Sequence, residues 1–452
     1  MIAIIGGGIS GLSAAYELST RRVPFTLFEA SPRLGGLVWT EHVAGFTIEA
    51  GADSMLAQKR AAVDLCSELG LEPRLILPNR PKTAFVLHNG TLHPLPAPSM
   101  LGIPATWTGL ASYSLLPPLA RARIALEPLV PVRRDRTDES IASFFRRRFG
   151  AASVDRIAQP LLGGIHAGSI ERLSLRALFP RLAEAEHSGQ RALRWIRMTA
   201  PAGGGAGFRS IANGMGELVE GIHRRLPAES VRCNTAVIGL EQKPQGWRVV
   251  TSEGPSDYSN VVLACPAHTA ATLLARASGE AAALCAAVPY VSTVSIALAW
   301  PRAAVAHSLK GSGFVVARKS NKVRITAATW VSSKWDGRAP AGHVLLRAYL
   351  GGEHDPAAVR EADGTLVDIA VRELSAILSI TGRPELARVY RWPNAGAQHE
   401  VGHLARMELL DTRLASLRGL HVTGSGFRSI GIPDCVADGR AVAARVAASM
   451  TT

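Results

Sequence analysis

A cluster of glycines follows the first apolar residues of the chain, which begins MIAIIGGGISGLSAAYEL. The apolar run through Ile5 predicts a short buried strand, and the apolar residues after Gly11 recur at helical spacing. Gly6, Gly8 and Gly11 therefore fall where a strand becomes a helix. Glycines there let another group approach the backbone closely, while free N–H groups at the helix N-terminus favour an anion. The pattern favours a phosphate-binding turn; an ordinary tight strand–helix turn is the alternative on these residues alone.

An acidic residue follows the second predicted strand. Pro24 to Phe28 is largely apolar, and Glu29 stands directly after it. This is about the spacing at which a carboxylate receives the ribose hydroxyls of an adenine dinucleotide. A carboxylate there disfavours a 2′-phosphate, because the two negative charges would repel each other. The sequence thus predicts an adenine dinucleotide bound by the first strand–helix–strand unit.

A second glycine pair favours a flavin over a nicotinamide. The stretch SPRLGGLVWT places Arg33, Gly35 and Gly36 after the acid, and IEAGADS follows with Gly51 and Asp53. Such an extension would let the backbone follow a long cofactor past its pyrophosphate, which a plain NAD domain does not need. These residues resemble the FAD-dependent amine oxidase superfamily, whose glycine fingerprint, ribose glutamate and R-x-G-G element occur here in order.

The composition indicates a globular protein of two or three domains. The 452 residues are 47% hydrophobic and 19% charged, and this length exceeds one ordinary core. A net charge of +14 favours anionic partners. The basic residues are spread along the chain without a zinc-finger or RNA-binding signature, so we expect no nucleic-acid partner. The five cysteines are far apart and form no C-x-x-C, which predicts neither a disulfide framework nor a metal site.

The start of the chain and its longest apolar runs predict a cytoplasmic protein. Met1 leads directly into the first strand, which leaves no room for a cleavable signal peptide, and no apolar run reaches spanning length. From Leu101 to Leu182 the pattern is mainly helical, interrupted by prolines and bordered by arginines. Trp107 and Tyr113 in this stretch would either lie among the headgroups of a bilayer or face a second domain.

Turn residues and strand patterns organise the rest of the chain. Phe85 to Gly90 predicts a hairpin, 203–205 a glycine-rich turn, and 365–378 a helix. Short strands in SVRCNTAVIGLEQ, GWRVVTS and NVVLACP predict a return to a sheet, and further strands alternate from 291 to 350. The last segment repeats the opening order of strand, glycine-rich loop and helix. A cofactor domain built from separated segments is therefore expected.

Five passages outside the glycine fingerprint resemble the oxygen-dependent porphyrinogen oxidases of haem synthesis. They are IEAGADSMLAQK, AQPLLGGIHAGSIERLSLRALFP, TWVSSKWDGRAPAGHVLLRAYLGG, RWPNAGAQHEVGH and GFRSIGIPDCVADG. The resemblance runs nearly from end to end. It implies an α/β fold with a Rossmann-like FAD-binding domain in separated segments, an inserted α+β substrate domain and a helical, membrane-docking domain. The FAD-binding domain would comprise 1–80, 203–266 and 390–452. The substrate domain would comprise 81–100 and 267–389, and the helical domain 101–202.

The resemblance also implies the residues that contact FAD. They are Gly6, Gly7, Gly8, Ile9, Ser10, Gly11, Glu29, Ala30, Arg33, Gly36, Leu37, Gly51, Ala52, Asp53, Ser54, Val237, Trp392, Ile430, Gly431 and Ile432. The chain departs from the usual family pattern in the last loop, where Ser425 and Ser429 stand in place of an asparagine and a glycine. We expect altered positioning there at most, because a hydroxyl can replace part of the hydrogen bonding of an amide.

The implied reaction is the six-electron oxidation of protoporphyrinogen IX by O₂, with coproporphyrinogen III as the alternative substrate. An amine oxidase or a desaturase is a more distant alternative, and so is a binding protein without turnover. Substrate contacts are implied at Gly164, Ile165 and Tyr349, where a helix-ending turn and an ordinary core tyrosine are the alternatives. No side chain is proposed as an acid or base, His166 included. The implied partners are an anionic membrane surface and the next haem-pathway enzyme, for a monomer or homodimer.

Overall fold

The computed structural model describes residues 1–133, 135–200 and 207–450. The predicted glycine-rich turn at 203–205 lies outside them. A five-stranded parallel sheet contains both ends of the chain, with all residues of Ile2–Ile5 buried. In spatial order its strands are Val231–Arg232, Phe25–Phe28, Ile2–Ile5, Asn260–Leu263 and Leu420–Val422. The predicted order of strand, glycine loop and helix is confirmed at both ends of the chain.

Both faces of the parallel sheet are covered, because successive residues of its strands point to opposite sides. Ile2 and Ile4 join one core and Ala3 and Ile5 the other. The first core packs against helices Ile9–Thr20, Ala61–Glu68, Gly216–His223 and Ile432–Ser449. The second packs against helices Ala267–Leu274, Gly279–Ala286 and His403–Ala415 and against a three-stranded sheet of Val237–Lys243, Gly246–Thr251 and Gly254–Tyr258. Of the strands predicted in these stretches, those at 237–251 form this separate sheet, and Asn260–Leu263 joins the parallel sheet.

A seven-stranded mixed sheet forms the second large unit. In spatial order its strands are Leu386–Ala397, Tyr290–Pro301, His343–Gly351, Ala327–Trp330, Gly313–Val316, Ala84–His88 and Thr91–Pro94. Neighbours are antiparallel except Gly313–Val316 and Ala84–His88, which are parallel. Its back face packs on helix Asp363–Leu378. The predicted hairpin and helix are confirmed, but the boundary expected at 390 falls inside a strand that continues to Ala397.

The stretch predicted to be mainly helical, Leu101 to Leu182, consists mainly of short helices in the described ranges, which continue to Thr199. They are Trp107–Ala111, Pro118–Ala125, Ile141–Phe149, Ala151–Ser153, Gly164–His166, Leu175–Leu178, Pro180–His187 and Ala192–Thr199, with the 3-10 turn Glu127–Leu129 and the π-helix Val154–Gly163. Tyr113 is buried in their core, so it does not face a bilayer, whereas Trp107 is 52% exposed. Nowhere in 1–133, 135–200 or 207–450 is there a helix with the length and apolarity needed to cross a membrane.

The remaining elements are short. Two-stranded sheets pair Thr40–Val43 with Phe46–Glu49 and Ser99–Met100 with Ile103–Pro104, and Phe208–Ile211 lies between Met55–Leu56 and Leu75–Ile76. The α-helical turn Val331–Lys334 and 3-10 turns at Glu72–Arg74, Ala228–Ser230, Arg302–Ala304, Arg318–Ser320 and Ala358–Arg360 complete the described chain. All five cysteines are free, four of them buried.

Candidate active site

Two glycine loops meet at the N-terminus of the first helix. Gly8 and Gly35 form a parallel bridge, and the Gly35 N–H donates to the Gly7 carbonyl over 2.8 Å. A Cβ on Gly11 would lie 1.9 Å from the Gly6 carbonyl oxygen, so a side chain there cannot be accommodated. A Cβ on Gly8 would meet nothing within 4 Å. The loop is therefore tightly packed on the protein side and open beside Gly8, next to free N–H groups of the helix.

Glu29 is fixed at the edge of this opening. Its carboxylate accepts hydrogen bonds from the N–H of Gly7 over 2.7 Å and of Ser31 over 2.9 Å. Each oxygen still has a lone pair for a further donor, such as a ribose hydroxyl. The Thr235 N–H donates to the Glu29 carbonyl, which brings the strand that starts at Val237 to the same edge. Glu29 and the start of the strand at Val237 are thus held at one edge of the sheet.

Arg33 supports the second glycine loop from within. Its guanidinium donates to the Gly36 carbonyl over 2.7 Å and lies 4.7 Å from the ring centre of Trp39. Gly36 has a φ of +57° and lies close to Gly8. A Cβ added to Gly36 would lie 3.1 Å from the Cα of Gly8. The next residue, Leu37, presents its carbonyl oxygen 2.0 Å from where a Cβ on Gly51 would be. The loops carrying the predicted cofactor residues are therefore in direct backbone contact.

Side chains of the mixed sheet hold three consecutive carbonyls of the 49–53 segment. The Arg347 guanidinium donates to the carbonyls of residues 49 and 51, the latter over 2.9 Å. The carbonyl of residue 50 accepts from the Ser295 hydroxyl over 2.7 Å and from the Trp392 indole over 3.1 Å. Trp392 also lies against Gly51, 3.4 Å from its would-be Cβ. Three neighbouring strands therefore fix this segment.

Buried charges complete the support beneath the segment. Asp53 pairs with Lys334 over 2.8 Å and lies 3.7 Å from Arg347. Burial acts to raise the pKa of Asp53, but the two cations outweigh it and hold that pKa well below its usual range. Glu49 lies 3.6 Å from the fully buried Arg338, and burial raises the pKa of Glu49. Asp53 thus anchors the segment with its carboxylate, while Ser54 donates to that carboxylate over 2.8 Å.

Tyr349 lies on the same sheet face as Arg347, two residues along the strand. The Arg347 Nε–H donates to the Tyr349 hydroxyl over 2.6 Å, and Thr329 Oγ1 lies 3.3 Å from that hydroxyl. One guanidinium therefore links the predicted substrate tyrosine to the predicted cofactor segment. The sequence interpretation missed Arg347. The available signal was a single charge inside the otherwise apolar strand HVLLRAYLG, spaced to share a face with Tyr349.

Gly164 and Ile165 do not form the helix-ending turn that was the alternative to a substrate contact here. They continue the π-helix Val154–Gly163, and the helix ends only at Ala167, which has a left-handed φ of +52°. Gly164 faces the mixed sheet, since a Cβ added to it would lie 3.7 Å from the Val315 side chain. The Ile165 side chain is 73% exposed. Burial lowers the pKa of His166 to about 4, so its ring is neutral at neutral pH. An exposed apolar side chain above the sheet face suits a flat, apolar ligand.

The last glycine loop ends at the N-terminus of helix Ile432–Ser449, with Gly431 as the N-cap. Ile430, Gly431 and Ile432 therefore occupy the predicted helix start. The Asp434 carboxylate lies 3.4 Å from the Gly431 N–H and pairs with Lys59 over 2.7 Å. This acid offsets part of the positive helix end, which the sequence interpretation did not include. Helix residue Gly439 packs against Ser10, whose carbonyl oxygen would be 2.2 Å from a Cβ.

A family model described as flavin containing amine oxidoreductase matches residues 9–447. The chain belongs to the flavin containing amine oxidoreductase family. It is 35% identical to the coproporphyrinogen III oxidase of Bacillus subtilis (strain 168), over 97% of this chain and 96% of the relative. It is 29% identical to protoporphyrinogen oxidase 1, chloroplastic, of Spinacia oleracea, over 96% and 81%. A crystal structure of a provisionally named protoporphyrinogen oxidase from Exiguobacterium sp. 255-15 has a TM-score of 0.89, with 30% identity over 99% and 98% of the chains.

The family makes FAD the cofactor, and the residues present fit it. The open space beside Gly8 adjoins the helix N-terminus, where backbone N–H groups bind a pyrophosphate. The Glu29 carboxylate stands at the end of the neighbouring strand, as a ribose hydroxyl requires. The mixed α/β architecture with its two large sheets is that of the flavin amine oxidases.

Proposed function

We propose that this protein oxidises a porphyrinogen to the corresponding porphyrin, using FAD and O₂. The observation that carries the proposal is the link between Tyr349 and the 49–53 segment through Arg347, which sets a predicted substrate contact beside a predicted cofactor contact. The names of the relatives, coproporphyrinogen III oxidase and protoporphyrinogen oxidase, support the substrate class. Protoporphyrinogen IX and coproporphyrinogen III are the two candidate substrates.

Bound FAD supplies the two-electron chemistry: porphyrinogen loses six hydrogens over three cycles, and three O₂ become three H₂O₂. The protein's own contribution is to position and to exclude water. Tyr349 and Ile165 would hold the macrocycle between the sheet face and the helical region, with Gly164 allowing close approach. Arg347 fixes the Tyr349 hydroxyl, and neutral His166 adds no charge nearby. This arrangement needs no acid or base side chain.

FAD would extend from Glu29 and Val237 at its adenosine end to the 49–54 segment and Trp392 near the flavin. The glycines 6–11, with Ile9 and Ser10, would hold the pyrophosphate, and Ile430 to Ile432 would lie at the flavin's far edge. The remaining proposed contacts are Ala30, Arg33, Gly36, Leu37, Ala52, Asp53 and Ser54. Arg33 and Asp53 act by holding backbone, since their charged groups already bond to protein partners.

We further propose three units: an FAD unit around the parallel sheet, a substrate unit around the mixed sheet, and the helical unit 101–202. In this proposal the parallel-sheet unit also includes 267–286, and the mixed-sheet unit extends through Ala397; the packing of helices Ala267–Leu274 and Gly279–Ala286 and the pairing of strand Leu386–Ala397 support this division. Exposed apolar side chains at Trp107, Leu119 and Leu129 support docking of the helical unit on an anionic membrane surface. The next haem-pathway enzyme as a partner, and a monomer or homodimer, stay predictions.

The proposal is tested by mixing the oxidised holoprotein anaerobically with each porphyrinogen and then admitting O₂. We expect bleaching of the flavin absorbance near its visible maximum, followed on aeration by porphyrin fluorescence and H₂O₂. The ratio of the two bleaching efficiencies identifies the preferred substrate. A bound flavin that stays oxidised with both porphyrinogens would exclude the proposal and favour an amine oxidase reaction, which amine substrates would then test.

A further inference from the structure

A groove of about 710 Å³ is lined by residues that follow strands Gly313–Val316 and His343–Gly351, and among them is Arg318, which forms no ion pair within 4 Å in the described ranges. Four chain segments line it: the π-helix at Val154, Asp155 and Gln159; Ser169 and Glu171; the loop from Arg318 to Arg324; and the turn at His354 and Asp355. Three of these segments are adjacent in the chain to Gly164, to strand Gly313–Val316 or to the strand that contains Tyr349. The π-helix leads into Gly164, the loop at 318 follows Val315, and the turn at 354 follows the Tyr349 strand.

The strand register places Arg318 within reach of a ligand lying on Tyr349. Tyr349 pairs with Ala327, which pairs with Val315, so Arg318 lies two strands across and three residues beyond Val315. Strand spacing puts the Cα of Val315 about 10 Å from that of Tyr349, and Arg318 begins the 3-10 turn that follows this strand. A macrocycle on Tyr349 that bears acidic side chains on its rim would direct one of them into this groove.

The acids of the groove already have cationic partners within 4 Å, whereas Arg318 forms no ion pair that short in the described ranges. Asp355 and Glu373 lie close enough to act on its charge without a direct ion pair. Asp155 pairs with Lys319 over 2.7 Å and Asp355 with Arg324 over 2.8 Å. The third acid lining the groove, Glu171, pairs with Arg146. Arg318 is half-buried and donates one hydrogen bond, to the Arg324 carbonyl over 3.0 Å. Since a guanidinium has five N–H donors, most of those of Arg318 remain for a ligand.

We propose that Arg318 binds a carboxylate side chain of the porphyrinogen and thereby favours the substrate with more carboxylates. A planar guanidinium in a half-buried groove suits a carboxylate, because it can donate two parallel hydrogen bonds. Coproporphyrinogen III carries propionates at the two positions where protoporphyrinogen IX carries vinyls, so it alone makes this contact when one of those positions faces Arg318. The inference rests on the proposed function and assigns Arg318 to substrate selection rather than to the chemistry.

The test compares Arg318→Gln with Lys319→Gln in the FAD-loaded full chain. We expect Arg318→Gln to raise KM for coproporphyrinogen III about 10- to 100-fold, the effect of losing charge-assisted hydrogen bonds. The change for protoporphyrinogen IX should be smaller, and kcat and the flavin spectrum should stay at wild-type values. Lys319→Gln, which removes an exposed and already paired cation at the next position, should change neither KM. Binding of coproporphyrin III, followed by its fluorescence, should weaken by the same factor.

Arg318→Lys keeps the charge without the two-donor geometry, so its KM should lie between wild type and Arg318→Gln. Equal effects of the Arg318 and Lys319 substitutions would overturn the proposal, because they would reflect only the general charge of the groove. Arg318→Lys matching Arg318→Gln would also overturn it. If the wild-type protein oxidises neither porphyrinogen, the proposed function fails instead, independently of these variants.

Discussion

Alanine at Gly8 separates the space reserved for the cofactor from the packing of the protein itself. Gly8 is the N-cap of the first helix, with a φ of −69° and a ψ of 175°, which alanine adopts without strain. Its new methyl group would meet no protein atom within 4 Å. It would instead project into the opening beside the helix N-terminus. The substitution is therefore expected to impair FAD binding while leaving the fold intact.

The expected size follows from the contacts at stake. Displacing a pyrophosphate by the radius of a methyl group loses one charge-assisted hydrogen bond to a backbone N–H, about 2–3 kcal/mol. That corresponds to roughly 30- to 150-fold weaker FAD binding. The effect on the protein alone is the replacement of glycine by alanine at an N-cap, about 0.5–1 kcal/mol. Cofactor affinity should therefore fall much further than stability.

The assay dilutes holoprotein and follows the fluorescence of released FAD, alongside thermal unfolding by circular dichroism. The matched control is Gly364→Ala, where a Cβ also meets nothing within 4 Å but the site lies in helix Asp363–Leu378. Its FAD affinity should equal that of wild type. If Gly8→Ala binds FAD with the wild-type dissociation constant, the space beside Gly8 does not hold the cofactor and the reasoning is refuted.

Three further substitutions or conditions have defined outcomes. Glu29→Gln places an amide NH₂ against a backbone donor, so FAD release should become about tenfold easier by the same fluorescence assay. Arg148→Met leaves the fully buried Glu127 without its cation, which should lower the free energy of unfolding in urea by about 3–5 kcal/mol, while Arg148→Met with Glu127→Leu should recover much of it. Burial lowers the pKa of His403 to about 4. As pH falls, the unfolded chain therefore protonates this histidine before the folded chain does. The contribution of His403 to the free energy of unfolding should be constant above pH 7 and decline by up to ~3 kcal/mol between pH 6.5 and 4. His403→Gln should reduce that decline.

Local sequence patterns were enough to predict those elements whose structure is determined by residues close together in the chain. The turn at Gly6 to Gly11 requires only a strand, three glycines and a helix in sequence, and the hairpin at 84–94 requires an Asn-Gly pair between apolar runs. Glu29 follows from its distance along the chain. The identification of the family from the sequence is confirmed, because its motifs lie in these locally determined segments.

The glycines at 163 and 164 show where local reading fails. A helix-ending turn was the alternative to a substrate contact at these glycines, and the helix instead continues through them. A Cβ on Gly163 would lie 2.1 Å from the Gln159 amide, which instead bonds to the backbone at Gly168 and Ile170. The glycine is thus needed to make room for a side chain of its own helix. Nothing in the spacing of the residues distinguishes this cause from a turn.

The support of the 49–53 segment could not be predicted, because its partners are nearly 300 residues away. Asp53 meets Lys334 and Arg347 only after the mixed sheet has formed against the parallel sheet. Periodicity identifies which residues of a strand share a face, but not which loop that face will contact. The sequence therefore predicted that Gly51 and Asp53 belong to the site without predicting what holds them there.

Hydrogen bonds from the mixed sheet to the 49–53 segment connect the proposed substrate contact with the proposed cofactor contacts. Ser295 pairs directly with Tyr349 across neighbouring strands and also bonds to the carbonyl of residue 50. Arg347 bonds to the Tyr349 hydroxyl and to the carbonyl of Gly51. The proposed substrate contact at Tyr349 and the proposed cofactor segment are thus positioned by one sheet face rather than by two independently moving domains. Since hydride transfer depends steeply on the distance between donor and acceptor, fixing both contacts to the same strands sets that distance through the fold itself.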